Sequence, residues 1–128
     1  MVEWERRGEA LKAIAIGRQD LSVFGGKVAL SANVGVKLVS GQQGKNVKVY
    51  FAGMEILNAG SHYFYFGTST SPPTITNGVL KVFLIGNAVG RNRQLMRNPV
   101  MGGAGDDLYI VSEVAETALP FDLQYVVE

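Results

Sequence analysis

The only histidine of the chain, His62, is the first residue to consider for catalysis. Its neighbour Ser61 cannot serve it as a nucleophile, because adjacent residues of a strand project to opposite faces. Distant serine or aspartate residues could converge on the ring, but no spacing in the sequence indicates that they do. A lone histidine in an aromatic strand is usually a packing or surface residue. We therefore assign no catalytic residue and expect a protein that is not an enzyme.

Two glycine-containing segments partly match ligand-binding loops. Residues 41–46 contain Gly44 and Lys45, but they lack the spacing of a phosphate loop and the serine or threonine that follows it. Residues 102–107 end in Asp106 and Asp107, but the alternating acidic ligands of a calcium loop are missing. We interpret both segments as turns and predict neither a metal site nor a cofactor.

Three arginines, Arg91, Arg93 and Arg97, fall within residues 86–105, which we interpret as a long loop. Guanidinium groups bind carboxylates and phosphates through paired donors. A nucleic-acid site would add interleaved aromatic residues and a basic surplus, whereas the formal net charge of this chain is only +1. We favour a contact with another subunit or a capsid over nucleic-acid binding, and a solvated loop is the plainer alternative.

Composition places the chain among single-domain globular proteins. Its 128 residues suffice for one core, and 47% of them are hydrophobic while 18% are charged. The absence of cysteine excludes thiolate nucleophiles and disulfides. No apolar run approaches the roughly 18 residues of a membrane span and no signal peptide is visible, so we expect a soluble protein without a membrane partner.

Charge is distributed unevenly along the chain. Acidic residues concentrate after position 105 and basic residues lie before position 98. Copies that met head to tail would therefore be electrostatically complementary.

The first 24 residues differ in pattern from the rest. Trp4 and Leu11 fall near helical spacing, with charged residues such as Arg6 and Arg7 between them. The pattern predicts a short amphipathic helix or an arm that packs on its own domain or on a neighbouring subunit.

From residue 25 to residue 128, short β-forming runs alternate with glycine-rich turns, the first of which is predicted at Gly25-Gly26, and the chain contains 16 glycines. This pattern predicts an all-β fold, an antiparallel β-sandwich or a jelly-roll-like barrel. Val47, Val49 and Phe51 alternate with Lys48 and other residues, which indicates a half-buried strand. Gly53, a few residues on, is interpreted as a bulge or bend.

The remaining strands are less regular. Residues 62–66 form an aromatic strand, whose Tyr63 and Tyr65 are candidate ligand contacts if they face outward. Asn-Gly at residues 77–78 predicts a type I′ hairpin, and the apolar residues 79–85 predict a central strand. Pro120 should lie at an edge or entry position between the last two strands, because proline cannot donate to a ladder.

The segment from residue 28 onward resembles a β-sandwich module of bacteriophage and archaeal-virus structural proteins. The resemblance rests on the Gly-Lys turn at residues 44–45 and on the strand at residues 47–51. It continues in the aromatic element at residues 63–67, the Gly-Asp-Asp-Leu-Tyr-Ile-Val segment at residues 105–111 and the closing strand at residues 121–127. Such modules look like tail, decoration or head-surface proteins, which commonly associate as trimers or on a symmetric lattice.

The resemblance implies a non-enzymatic virion protein that decorates or stabilises a capsid or tail. Its partners would be copies of itself, with a trimer favoured, and a major capsid or tail protein. Trp4, Arg6, Arg7, Leu11 and the three arginines are the candidate contacts. The alternative is a receptor-binding or carbohydrate-binding module of a virus tail or spike that uses Tyr63 and Tyr65.

Overall fold

A computed structural model describes residues 20–73 and 82–128 of the chain, except for the side chains of Leu84 and Ile85. Most of the N-terminal segment and the predicted hairpin at residues 77–78 lie outside the described residues. The described strands are β1 (Ser22–Leu30), β2 (Val36–Val39), β3 (Val47–Ile56), β4 (His62–Gly67), β5 (Val82–Gly86), β6 (Gly90–Met101), β7 (Asp107–Ser112) and β8 (Glu116–Val127).

The strands form two antiparallel sheets that pack face to face. One sheet has the order β1-β8-β3-β6 and the other has the order β2-β7-β4-β5. All connections except the one from β4 to β5 cross from one sheet to the other. This is the connectivity of a jelly roll, in which two Greek keys share one core. The prediction of an all-β sandwich or jelly roll is therefore confirmed.

The core lies between the inward faces of the two sheets, where alternate residues of each strand meet. Aliphatic residues dominate it, together with two phenylalanines of β4. Its buried members are Leu30, Val39, Val47, Val49, Ala52, Met54, Ile56, Phe64, Phe66, Leu108, Ile110, Leu119, Phe121 and Leu123.

The irregularity in β3 lies at Tyr50 and not at Gly53, where the sequence predicted it. The register of β3 with both neighbours shifts between Val49 and Phe51 and is regular from there to Ile56. The extra residue reverses the alternation, so Ala52 and the alternate residues after it face the core in place of Phe51.

Two further expectations about β1 and β8 are corrected. Gly25 and Gly26 form part of β1, opposite Asp122 and Phe121, and do not form a turn. Pro120 lies inside β8, which is a central strand. The proline is tolerated because the ladder between β8 and β3 ends at Phe121, so β8 has only β1 as a partner at this position.

The part of the predicted central strand that is described forms β5, which stands at the end of its sheet and pairs only with β4 among the described strands.

Four turns lie together at one end of the sandwich, which we call the turn end. They are residues 31–35, 57–61, 87–89 and 113–115. Backbone hydrogen bonds connect them, since Gly60 N donates to Asn87 O at 3.0 Å and Asn33 N donates to Ser112 O at 2.8 Å.

Candidate interaction surface

Most of residues 86–105 form a strand, which corrects the prediction of a long loop. β6 pairs along one side with β3 and is the last strand of its sheet. Its sequence is rich in arginine, asparagine and glutamine, so it lacks the alternation of apolar residues that indicates a strand. The segment is extended because it pairs with β3, and its own residue pattern does not indicate a strand.

Arg91, Arg93 and Leu95 follow one another at every second position of β6 and share the face that points away from the core. We call these three residues the β6 stripe. In register, they stand opposite Glu55, Gly53 and Phe51 of β3, respectively. All three are exposed, and Leu95 retains 50% of its accessible surface. The stripe therefore presents two guanidinium groups and an aliphatic side chain at the rim of the sheet.

Beyond Leu95 the edge is interrupted. On β3, Val49 and Phe51 are two positions apart. Their partners on β6, Val100 and Leu95, are five positions apart, so β6 has three extra residues in this interval. Arg97 lies within this bulge and is exposed, so the structure separates it from the stripe. Bulges and prolines such as Pro99 block further strand pairing. The regular part of the edge is therefore residues 90–95.

The arginines have no ionic partner within the part of the chain that the structure describes. The ion pairs found there join Lys37 to Asp107, Lys48 to Glu128 and His62 to Glu116. Unpaired guanidinium groups beside an exposed apolar residue are typical of protein contact surfaces.

The acidic residues after position 105 do not form a matching surface. Asp107 accepts a hydrogen bond from Gly41 N at 2.6 Å and lies 3.8 Å from Lys37 Nζ. Asp106 accepts one from Gly103 N at 3.0 Å, and Glu116 is buried. Three of the six acidic residues after position 105 thus make contacts inside the subunit, which weakens the basis for a head-to-tail contact between oppositely charged halves.

The same contacts explain the Gly-Asp-Asp segment. The segment forms the turn that the sequence predicted, and its two carboxylates accept backbone hydrogen bonds. Among the described residues, no group of three or more acidic, histidine or cysteine side chains is arranged to hold a metal ion.

Tyr63 and Tyr65 do not form an exposed platform. They belong to a second apolar cluster on the outer face of the β2-β7-β4-β5 sheet, and they are 8% and 1% exposed. Tyr65 stacks on Tyr109 with ring centroids 4.9 Å apart. Its hydroxyl donates to Ser69 O at 2.8 Å. A sugar ring needs an open aromatic face, so the position of these rings does not support carbohydrate binding through them.

Burial of this cluster has a measurable consequence at alkaline pH. Desolvation, followed by the charges of Tyr109 and Tyr63, raises the pKa of Tyr65 from 10.0 to about 12. The unfolded chain would ionise this tyrosine first, so its contribution to stability is lost as the pH rises from 10 towards 12. We expect an absorbance titration of wild type to show a late tyrosinate step that is missing from Tyr65→Phe. Titration of both proteins to the same end point at lower pH would contradict this.

No pattern in the sequence indicates the polar cluster that surrounds His62. Ser112 Oγ lies 3.1 Å from His62 Nε2, and Glu116 Oε1 lies 3.8 Å from the same nitrogen. All three side chains are fully or almost fully buried. A hydrolytic triad needs its carboxylate on the nitrogen opposite the serine, but here that nitrogen, Nδ1, contacts Gly60 O at 2.6 Å. Since no substrate could reach Ser112, this geometry gives the cluster no nucleophilic role.

The other candidate contacts, Trp4, Arg6, Arg7 and Leu11, lie outside the described residues. Of the sequence-predicted residues, the structure brings together only Arg91 and Arg93, on the β6 stripe, and Tyr63 and Tyr65, in the buried cluster. Sequence analysis missed Leu95, because its exposure follows from the register with β3.

No protein-family model, curated protein or solved structure matches the chain. Over the residues that the structure describes, no helix has the length and apolar character needed to cross a membrane.

Proposed function

We propose that the protein is a non-enzymatic structural component of a virus or phage particle, which self-associates and decorates or stabilises a capsid or tail. The observation that carries the proposal is the β6 stripe, an exposed Arg-Arg-Leu row on the last described strand of its sheet, with no ionic partner among residues 20–73 and 82–128. The jelly roll is common in capsid proteins but also hosts lectins and enzymes, so the fold supports the proposal only as an analogy.

The stripe suits assembly for two physical reasons. The backbone groups on the free side of an edge strand are available to a neighbouring chain, and natural proteins usually cover or block such an edge. In β6, the bulge around Arg97 blocks one half and leaves residues 90–95 regular. Arginine fixes the orientation of a contact through its planar donors, while Leu95 supplies apolar area. We favour a trimer in which these residues contact a neighbouring subunit.

Reversing the charge of the stripe tests this proposal. We expect Arg91→Glu/Arg93→Glu to reduce the molar mass measured by light scattering from an oligomer, three subunits of 13.8 kDa for a trimer, to a single chain. The physical reason is that two carboxylates would replace two guanidinium groups at the contact. The alkaline and thermal stability of the subunit should change little, because both side chains are exposed.

A matched control is Lys27→Glu/Lys45→Glu, which changes the net charge equally at two exposed positions away from β6. We expect this variant to keep the wild-type mass. Equal dissociation of both double variants would indicate a general charge effect, and a wild-type chain that is monomeric at every concentration would remove the proposal's basis.

A further inference from the structure

The hydrogen bonds around His62 specify which ring nitrogens carry protons. The ring lies at the start of β4, beneath the turn end, and is fully buried. Nδ1 is 2.6 Å from Gly60 O. A carbonyl oxygen can only accept, so Nδ1 must carry a proton and donate it.

The contacts of Ser112 indicate whether the other ring nitrogen, Nε2, carries a proton. Its Oγ lies 2.6 Å from Val114 O and 3.1 Å from His62 Nε2, and it accepts a hydrogen bond from Val114 N at 3.1 Å. A hydroxyl has one proton to donate. The shorter contact, to a carbonyl that can only accept, takes that proton. Nε2 must then donate to Ser112 Oγ, which makes the ring an imidazolium.

Glu116 has the position of a counter-ion. Its side chain is fully buried, its Oε2 accepts a hydrogen bond from Leu57 N at 3.3 Å, and its Oε1 has no hydrogen-bond partner in the structure. That oxygen is the one that lies 3.8 Å from His62 Nε2. A carboxylate buried without an opposite charge is strongly destabilising, whereas an adjacent imidazolium offsets much of the desolvation cost.

We propose that His62 is held as an imidazolium with Glu116 as its buried counter-ion, and that this ion pair locks the turn end. The lock joins three of the four turns. Glu116 holds the backbone at Leu57, His62 holds Gly60, and Ser112 holds Val114. Gly60 in turn binds Asn87 in the turn between β5 and β6.

Glu113 is the other charged group near the ring. Its pKa is lowered, mainly because Ser61 donates to it and to a smaller extent because of His62. Ser112 of β7 and Gly86 of β5, which pair with His62, are not ionisable.

The lock fixes the position of exposed apolar residues. Leu57 and Val89 are 46% and 64% exposed, and each belongs to one of the joined turns. The hydrogen bonds fix the spacing of these two turns. The lock therefore sets the shape of an apolar surface, independently of the β6 stripe.

Nitrogen-15 NMR of the imidazole tests the proposal, because the only histidine gives a single pair of ring signals. We expect both nitrogens of wild type to be protonated at neutral pH. In Glu116→Gln, Nδ1 should stay protonated and Nε2 should lose its proton, while Glu113→Gln should retain both protons. A neutral ring in wild type, with only Nδ1 protonated, would overturn the proposal.

A second measurement follows the turns themselves at neutral pH. Amide exchange should show lower protection at residues 57–61 and 113–115 in Glu116→Gln than in wild type. Equal protection of these turns in the two proteins would show that the ion pair does not lock them.

Discussion

Replacing Phe64 with alanine is expected to lower the free energy of unfolding by about 3–5 kcal/mol. Phe64 is completely buried at the centre of the core, and its ring stacks on Phe83 with centroids 5.2 Å apart. Truncation removes this contact and leaves a cavity that the two rigid sheets cannot close. Urea or guanidinium denaturation measures the change.

The control for this prediction is Val23→Ala. Val23 is 51% exposed on the edge strand β1, so its truncation should change stability by less than about 0.5 kcal/mol. A Phe64→Ala protein as stable as the Val23→Ala protein would contradict the core that we describe.

Gly102→Ala should destabilise the protein by about 1–3 kcal/mol through overpacking. A Cβ atom at this position would lie 2.6 Å from Phe66 Cγ, and Phe66 is 1% exposed. The backbone cannot withdraw easily, because Gly102 O accepts a hydrogen bond from Asn46 Nδ2 at 2.8 Å and Gly102 N donates to Val47 O at 3.3 Å.

Gly26→Ala provides the matched comparison. The same methyl group at Gly26 would meet no atom within 4 Å, and its effect on the unfolded chain is slightly stabilising, by up to about 1 kcal/mol. Thermal or chemical denaturation of the two variants should therefore give opposite or clearly unequal shifts. Equal shifts would mean that Gly102 does not pack against Phe66.

Much of the fold could be predicted from the sequence because alternation and turn chemistry are local signals. The strand that begins at Val47 and the aromatic strand at His62 follow from residues that are adjacent in the chain. The bulge at Tyr50 could not be predicted, because it is defined by register with β6 and β8. β6 itself was missed because its polar residues satisfy the requirements of an exposed edge and give no buried face to detect.

The candidate site could likewise be predicted only where its signals are local in the sequence. The contact role of Arg91 and Arg93 stays a prediction from the sequence, and the structure shows only that the two residues share one face of β6. The sequence could not show that Tyr65 is buried, because the residues that pack against it, Tyr109 and Gly35, are distant in the chain. The partners of His62 are 50 and 54 residues away in the chain (112 − 62 and 116 − 62), so only the fold reveals them.

Jelly-roll connectivity and the β6 stripe explain different parts of the account. The two sheets share one packed core, and in the proposed role the stripe supplies a directional contact at the rim of one sheet. Because fold alone does not determine function, the contact at the rim is the claim on which the proposed role depends.

Amide hydrogen exchange along β6, compared between dilute and concentrated protein, tests that claim most directly. We predict that the amides of residues 90–95 that point away from β3 become protected as the subunits associate, while those of the opposite edge, β1, do not change. Association that protects β1 or β2 and leaves residues 90–95 unprotected would contradict the account.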